Sequence, residues 1–600
     1  MKGVRPVEDI RRFLAVRSAY LPTFSSNGQI MAYITDISGV PELWALRLGE
    51  PFPDQVSYFG ERVGLAKYAP QGDHLVFAMD AGGNERWQLY LRHQGRILPL
   101  TRNPEAIHEF GAWAPDGQLL AISANTRNPA YFDVYIGTLE GEWRRVWQAD
   151  ATLYVQDWSA DGRYLLVAEY HAPSAQDLWL VDISDRSRRR LTSGPPARYL
   201  FAQFGSQGDT DVWALSDLDS EFLRPVRISL ETGRLSVPRE FDWDVEQLAI
   251  SWDGCTAALV VNDGGRSRLL AFPLPELDRP AEAHLPLGVV LSLEWHPDES
   301  WVAYSFSGPH FNPDIWRWEP EKDISRLTWS PRLWVELTET PEPESWHFES
   351  FDGRLIQGWL YRPAPIPPPG GWPALVIVHG GPESQARPDF DPVIAYFVRA
   401  GYLVYTPNVR GSTGFGKTFS HLDDRELRPN AVRDLAEGVK ALQEAGLASP
   451  KATAVMGASY GGFMVLSALT DYPDLWAAGI DIVGIANLET FLENTGPWRR
   501  KLREAEYGSL EHDRELLRAL SPIHRADRIK APLLVIHGRN DPRVPVTEAE
   551  QIVGRLRELG RPVELLVFDD EGHGVVRLPN KIRMYESVAK FLEKHLKGQQ

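Results

Sequence analysis

The stretch Ala452-Thr453-Ala454-Val455-Met456-Gly457-Ala458-Ser459-Tyr460-Gly461-Gly462-Phe463 reads as a strand, a sharp turn and the start of a helix. The apolar run ends at Met456, and a helix-like run follows from Phe463 to Leu469. Between them stands G-x-S-x-G. Glycine at 457 and 461 suits a turn where strand and helix pass closely, because a side chain would forbid the backbone angles or the approach. A serine hydroxyl is a weak nucleophile until it is exposed at such a turn beside a base. The stretch therefore predicts Ser459 as a nucleophile.

Downstream, Glu571-Gly572-His573-Gly574 follows the buried-strand pattern Glu564 to Phe568. Glycines on both sides give a loop that can aim an imidazole, and histidine takes and returns a proton near neutrality. Asp541 stands just beyond the apolar run Leu533 to Ile536. A carboxylate there can accept the other ring N–H and hold the tautomer. Ser, Asp and His in that order, each at a strand end, is the α/β-hydrolase order. The oxyanion that such chemistry creates needs backbone N–H donors. The N–H of Tyr460 is one candidate. The other is Gly381, in His379-Gly380-Gly381-Pro382 at the end of the run Ala374 to Val378. His379 and His537 are read as structural hydrogen bonders.

Around this core, residues from about 345 onward alternate short apolar runs with helical patterns, including Val432 to Gln443 and Arg583 to Leu596. That alternation predicts a parallel sheet covered on both faces. The first half is different and repeats. A turn followed by an apolar strand recurs with markers at 28, 72, 117, 162, 208, 254 and 299, spaced 44 to 46 residues apart. One small antiparallel sheet cannot bury both of its faces, whereas sheets stacked radially can. The expected architecture is an N-terminal seven-bladed β-propeller over 21–335 and a C-terminal α/β-hydrolase over 336–600. Residues 1–20 should form a helix that packs on the hydrolase domain. Pro- and Glu-rich 338–344 reads as the linker, and Pro-rich 363–370 as a surface excursion.

With 600 residues, more than one core is required. A net charge of −18 argues against nucleic acid as a partner. The lone cysteine, Cys255, permits no intramolecular disulfide and reads as buried filler in a strand. Met1 to Tyr20 carries charges throughout, so no signal peptide is read, and no apolar run is long enough to span a membrane. The cytoplasm is the expected compartment.

Taken together, Gly457 to Phe463, His379-Gly380-Gly381-Pro382, Asn408-Val409-Arg410-Gly411-Ser412-Thr413-Gly414-Phe415-Gly416, Asn540-Asp541-Pro542-Arg543-Val544-Pro545 and Glu571-Gly572-His573 resemble the prolyl oligopeptidase family of serine peptidases. That family also pairs an N-terminal propeller with a C-terminal hydrolase, so the resemblance spans the chain. The His-Gly-Gly-Pro stretch is similar to the acylaminoacyl-peptidase branch. Prolyl oligopeptidase itself places a Tyr hydroxyl on the oxyanion, and this sequence has no such Tyr there.

The resemblance implies Ser459, Asp541 and His573 as the triad and Gly381 and Tyr460 as oxyanion donors. It places Arg543 where a substrate carbonyl is held, with Val544 beside it, and Trp498 near the pocket for the residue before the scissile bond. An ion pair within the loop is the competing reading of Arg543, and the spacing from Trp498 to Tyr507-Gly508 departs from the family pattern. No Glu-Glu pair for gripping a free amino terminus is evident. The implied activity is cleavage of short peptides through an acyl-enzyme, with the propeller restricting access and with no metal or organic cofactor. A homo-oligomer is expected from the resemblance alone. Two readings stay open beside it: an esterase or amidase acting on non-peptide small molecules with the same triad, and a non-enzymatic interaction scaffold built on the propeller.

Overall fold

The computed structural model describes residues 9–205, 210–298 and 300–597. The turn Ser206-Gln207-Gly208, Glu299 and everything before Asp9 lie outside the described residues. Among the described residues, seven antiparallel four-stranded units follow one another at 19–55, 63–99, 108–147, 152–190, 199–236, 245–282 and 289–326. The third and fourth units are joined through one parallel pair, Phe132 with Thr152. Successive units contact one another, most of them through their first strands, and the first unit meets the seventh, so the units close into a ring. These are propeller blades. The ring closes without exchanging a strand: His296 Nε2 lies 2.9 Å from Gly28 O, and Leu21 N–H donates to Ser305 Oγ at 3.1 Å.

The turn glycines that carry the repeat, Gly28, Gly72, Gly117, Gly162 and Gly254, all have positive φ. A side chain with a β-carbon is disfavoured there, so the repeat persists as turn chemistry. Each innermost strand also carries a bulge at a matching point, at Gly111, Gln156, Glu246 and Leu291 among others. A bulge re-aims a side chain. In the sixth blade it presents Glu246 to Arg387 of the following domain, at 2.6 Å. Cys255 is exposed, which corrects its reading as core filler. It belongs to the turn before the strand Thr256–Asp263, where its N–H donates to Asp253 Oδ1.

The second domain is one eight-stranded sheet: β1 (Glu344–Glu349), β2 (Leu355–Tyr361), β3 (Trp372–Val378), β4 (Leu403–Asn408), β5 (Ala448–Ala458), β6 (Ala478–Ile482), β7 (Leu533–Gly538) and β8 (Val563–Phe568). Their order across the sheet is β1-β2-β4-β3-β5-β6-β7-β8. The β1–β2 and β2–β4 pairs are antiparallel and the rest parallel. Alternate residues feed two cores. Val376, Tyr405, Val455, Leu533 and Val535 face one side; Leu375, Val404, Ala454, Met456, Ile480 and Ile536 face the other. Burial on both faces explains why these strands read as continuous apolar runs. The short helix α1 (Ile10–Leu14) puts Ile10 and Leu14 into the second core, against α2 (Pro392–Arg399) and the C-terminal helix Leu578–Leu592.

The propeller sits on the edge of the sheet where the parallel strands end. Arg577 bonds Gly60 O at 2.7 Å and Glu61 at 2.8 Å, Thr418 Oγ1 donates to Glu221 at 2.6 Å, and Asn262 Nδ2 donates to Gln385 at 2.7 Å. That edge is also where a parallel sheet collects ligands.

Candidate active site

Ser459 stands between the end of β5 and the start of α3 (Tyr460–Asp471), with φ 61° and ψ −120°. For a non-glycine residue this is a strained conformation, costing roughly 1–3 kcal/mol, that persists only where its surroundings impose it. The surroundings are visible. A β-carbon at Gly457 would lie 2.4 Å from Gly461 O, and one at Gly461 would lie 2.2 Å from Val378 O. Ser459 N–H is tied to Ile482 O on the neighbouring strand at 2.9 Å. Helix α3 can start where it does only because glycine occupies both positions. The serine is thereby held at the crest of the turn.

Asp541 and His573 follow the next two strands, β7 and β8. Asp541 is buried, and its two oxygens have separate tasks. Oδ1 accepts the N–H groups of Arg543 (2.8 Å) and Val544 (3.0 Å), while Oδ2 stands 2.7 Å from His573 Nδ1. The backbone bonds fix the carboxylate, and the carboxylate fixes the ring. Ser459 Oγ and His573 share no hydrogen bond among the described residues; such bonds commonly tighten only when substrate is bound. His537 is fully buried beside the acid and bonds Val544 O through Nε2 at 2.8 Å. Burial holds its imidazole below the ordinary range. His379 is likewise held low by burial, with its ring nitrogens 2.8 Å from Gly380 O and 2.9 Å from Ser412 Oγ.

The two backbone groups read as oxyanion donors flank the serine. Tyr460 opens α3, so its N–H has no partner within the helix. The Gly380-Gly381 loop runs past the serine closely enough that a β-carbon on Gly380 would lie 3.5 Å from Ser459 Cβ. Gly381 has φ 128°, and its N–H has no hydrogen-bond partner among the described residues. The Tyr460 side chain points the other way. It is buried, donates to Asp423 Oδ2 at 2.8 Å and stacks with Arg428, which bonds the same carboxylate oxygen at 2.5 Å.

Arg543 pairs with neither its own loop nor an open cavity: its Nε lies 2.8 and 2.7 Å from the two oxygens of Glu85, in the second blade. Val544 turns its side chain into the hydrolase core at 2% exposure, and it is its backbone that serves Asp541 and His537. Trp498 is half-buried and covers Gly496, whose N–H donates to Pro542 O at 2.9 Å. Trp498 thus adjoins the loop that carries the acid.

One contributor escaped sequence reasoning. The second-blade segment Ala81-Gly82-Gly83-Asn84-Glu85 docks on the loops that carry Asp541 and His573. Gly82 O accepts from Asn540 at 3.0 Å, Glu85 holds Arg543, and a β-carbon on Gly83 would lie 2.4 Å from Gly572 N. The signal was a Gly-Gly pair where a blade needs no such freedom. A cavity of about 420 Å³ also reaches His573, lined among others by Asp36, Asp391, Ile482 and Lys581. As for metals, Glu169, His171 and Asp177 in the fourth blade could share one ion, but Asp177 is already engaged by Arg190 and Thr192.

Residues 388–599 match the sequence profile of the prolyl oligopeptidase family. Dipeptidyl aminopeptidase BIII of Pseudoxanthomonas mexicana is 26% identical over 96% of this chain and 86% of its own length. It is the segment 388–599 that carries the prolyl oligopeptidase-family match, and the chain is a serine peptidase. Dipeptidyl peptidase family member 6 of Caenorhabditis elegans is 32% identical over 50% of this chain and 44% of its own length. The fold is that of a Mycobacterium tuberculosis puromycin-hydrolyzing peptidase, with a TM-score of 0.86 at 19% identity covering 98% of this chain and 96% of that one. It is also that of the Pyrococcus horikoshii acylaminoacyl peptidase, with a TM-score of 0.75 at 19% identity covering 98% and 97%. These relatives carry different specificities in their names, so the likeness leaves the branch open. Among the described residues no helix is long and apolar enough to cross a membrane.

Proposed function

We propose that this serine peptidase cleaves short peptides through an acyl-enzyme on Ser459, in the manner of an acylaminoacyl-peptidase or oligopeptidase. The observation that carries the reading is the 2.7 Å contact of His573 Nδ1 with a backbone-anchored Asp541, beside a serine strained at the crest of its turn. With Nδ1–H given to Asp541, His573 Nε2 is left as the base. It takes the Ser459 proton as Oγ attacks the substrate carbonyl carbon. The N–H groups of Gly381 and Tyr460 receive the oxyanion. His573 then gives its proton to the leaving amine as the C–N bond breaks, and water attacks the ester by the same route in reverse. In this reading Arg543, held by Glu85, Val544 and Trp498 shape the wall beside the acid.

The propeller closing over the strand ends supports exclusion of folded proteins. We also take 21–335 as the propeller unit, 336–600 as the catalytic unit and 1–20 as a segment docked on the latter, acting in the cytoplasm. The test is a fluorophosphonate probe with the labelled residue mapped by mass spectrometry. Label on Ser459, blocked by a short blocked peptide amide, is the expected result; label elsewhere, or none, removes the reading.

A further inference from the structure

Helix α4 (Pro497–Tyr507) forms the wall beside the acid loop, tied to it by the Gly496 N–H to Pro542 O bond. Its first turn carries no acidic residue but two arginines, Arg499 and Arg500. A helix N-terminus bears partial positive charge, so cations there are out of place unless an anion joins them. Three guanidiniums lie close together in this wall. Arg543 is held by Glu85, and Arg503 by Glu383 at 3.2 Å and Glu506 at 2.9 Å. Arg499 has no such partner: its side chain makes no hydrogen bond or ion pair among the described residues, and its Nε is wholly buried.

The neighbours offer it nothing spare. Both Asp541 oxygens are used by His573 and backbone N–H groups, and both Glu85 oxygens face Arg543. From the fourth blade the facing group is Tyr154, whose titration feels Arg499. A guanidinium cannot shed its proton to escape burial. Burial and the charges of Arg543 and Arg503 bring it down to about 10, so it stays cationic at neutral pH. An uncompensated cation in such a place costs stability, and a ligand anion removes that cost.

We propose that Arg499 receives a carboxylate of the peptide substrate, close to the bond that is cleaved. This rests on the peptidase reading above. The carboxylate has two sources, the C-terminus of the peptide or an acidic side chain, and the planar guanidinium fork suits either.

The experiment compares kcat/KM of the full-length enzyme on matched short peptides. One arm sets a free C-terminus against the C-terminal amide. The other sets Asp against Asn at successive positions of the amidated peptide. A charge-assisted hydrogen bond corresponds to a preference of roughly 10- to 100-fold. The expected result is that preference in one arm, collapsing towards unity in Arg499→Met and partly kept in Arg499→Lys, which also serves if the methionine variant fails to fold. A ratio within twofold in both arms of the wild type, or a preference that survives Arg499→Met, overturns the inference. Neutral amides cleaved as well as their acids would sink Arg499 alone; no cleavage of any peptide, with no fluorophosphonate label on Ser459, would sink the peptidase reading and this inference together.

Discussion

The close approach of the propeller to the loop that carries His573 gives the sharpest mutational prediction. Gly83 lies in the second blade, yet a β-carbon there would sit 2.4 Å from Gly572 N and 2.9 Å from Gly572 Cα, one residue from His573. Ordinary contact begins near 3.4 Å, so Gly83→Ala must push the loops apart by about 1 Å, and a misplacement of that size costs ~10²-fold in rate. The loss should fall on kcat, because the base moves while the rest of the cleft stays. Gly83 also has φ +77°, so alanine carries a backbone cost of roughly 1–2 kcal/mol besides. Gly95, in the same blade, isolates that cost: its φ is +74° and a β-carbon there would touch nothing within 4 Å. The assay is kcat on a chromogenic peptide amide, with thermal unfolding in parallel. Gly95→Ala should keep wild-type kcat and Gly83→Ala should lose about two orders of magnitude. Equal kcat in the two variants would refute the claim that the blade sets the position of the histidine loop.

Three further outcomes follow from the geometry. Asp541→Asn should cut kcat about 10⁴-fold while leaving the fold intact, since the ring loses the partner that sets its tautomer; a loss under tenfold would show that the acid lies elsewhere. Arg428→Met should cost about 3–5 kcal/mol in urea unfolding, because it leaves Asp423 buried beside Tyr460 without its cation; no change in the urea midpoint would mean that the pair is already solvated. Asp481, buried behind the serine turn against Gly462 and Gly484, is pushed up to about 7 by burial, helped by the charge of Glu548. Its folded value lies above its unfolded one near 3.9, so its contribution to stability is full below about pH 4 and is lost as the pH rises towards 7. Asp481→Asn does not titrate and should therefore gain on the wild type between pH 5 and pH 8; a constant difference in urea midpoint would contradict this.

The two-domain architecture was legible, and the three candidate catalytic positions could be proposed, because each rests on local chemistry. A turn that needs glycine recurs at fixed spacing, and Gly457 and Gly461 are demanded by backbone approaches at the serine turn itself. Long-range partnerships were not legible. Nothing near Arg543 in sequence announces Glu85, which lies in another domain, and the competing expectation of a pair within the loop failed for that reason. Cys255 misled because β-strand texture begins only at the residue after it. Arg499 is set apart only by the three-dimensional placing of the anions around it, which are all engaged by other groups.

The central claim is that Ser459 and His573 work as one unit, and the most direct test is kcat of the Ser459→Ala/His573→Ala double variant beside the two single ones. Each single change should cost about 10⁶-fold, and the double should cost no more than either. A double variant far slower than both singles, or either single variant with near-normal turnover, would contradict it.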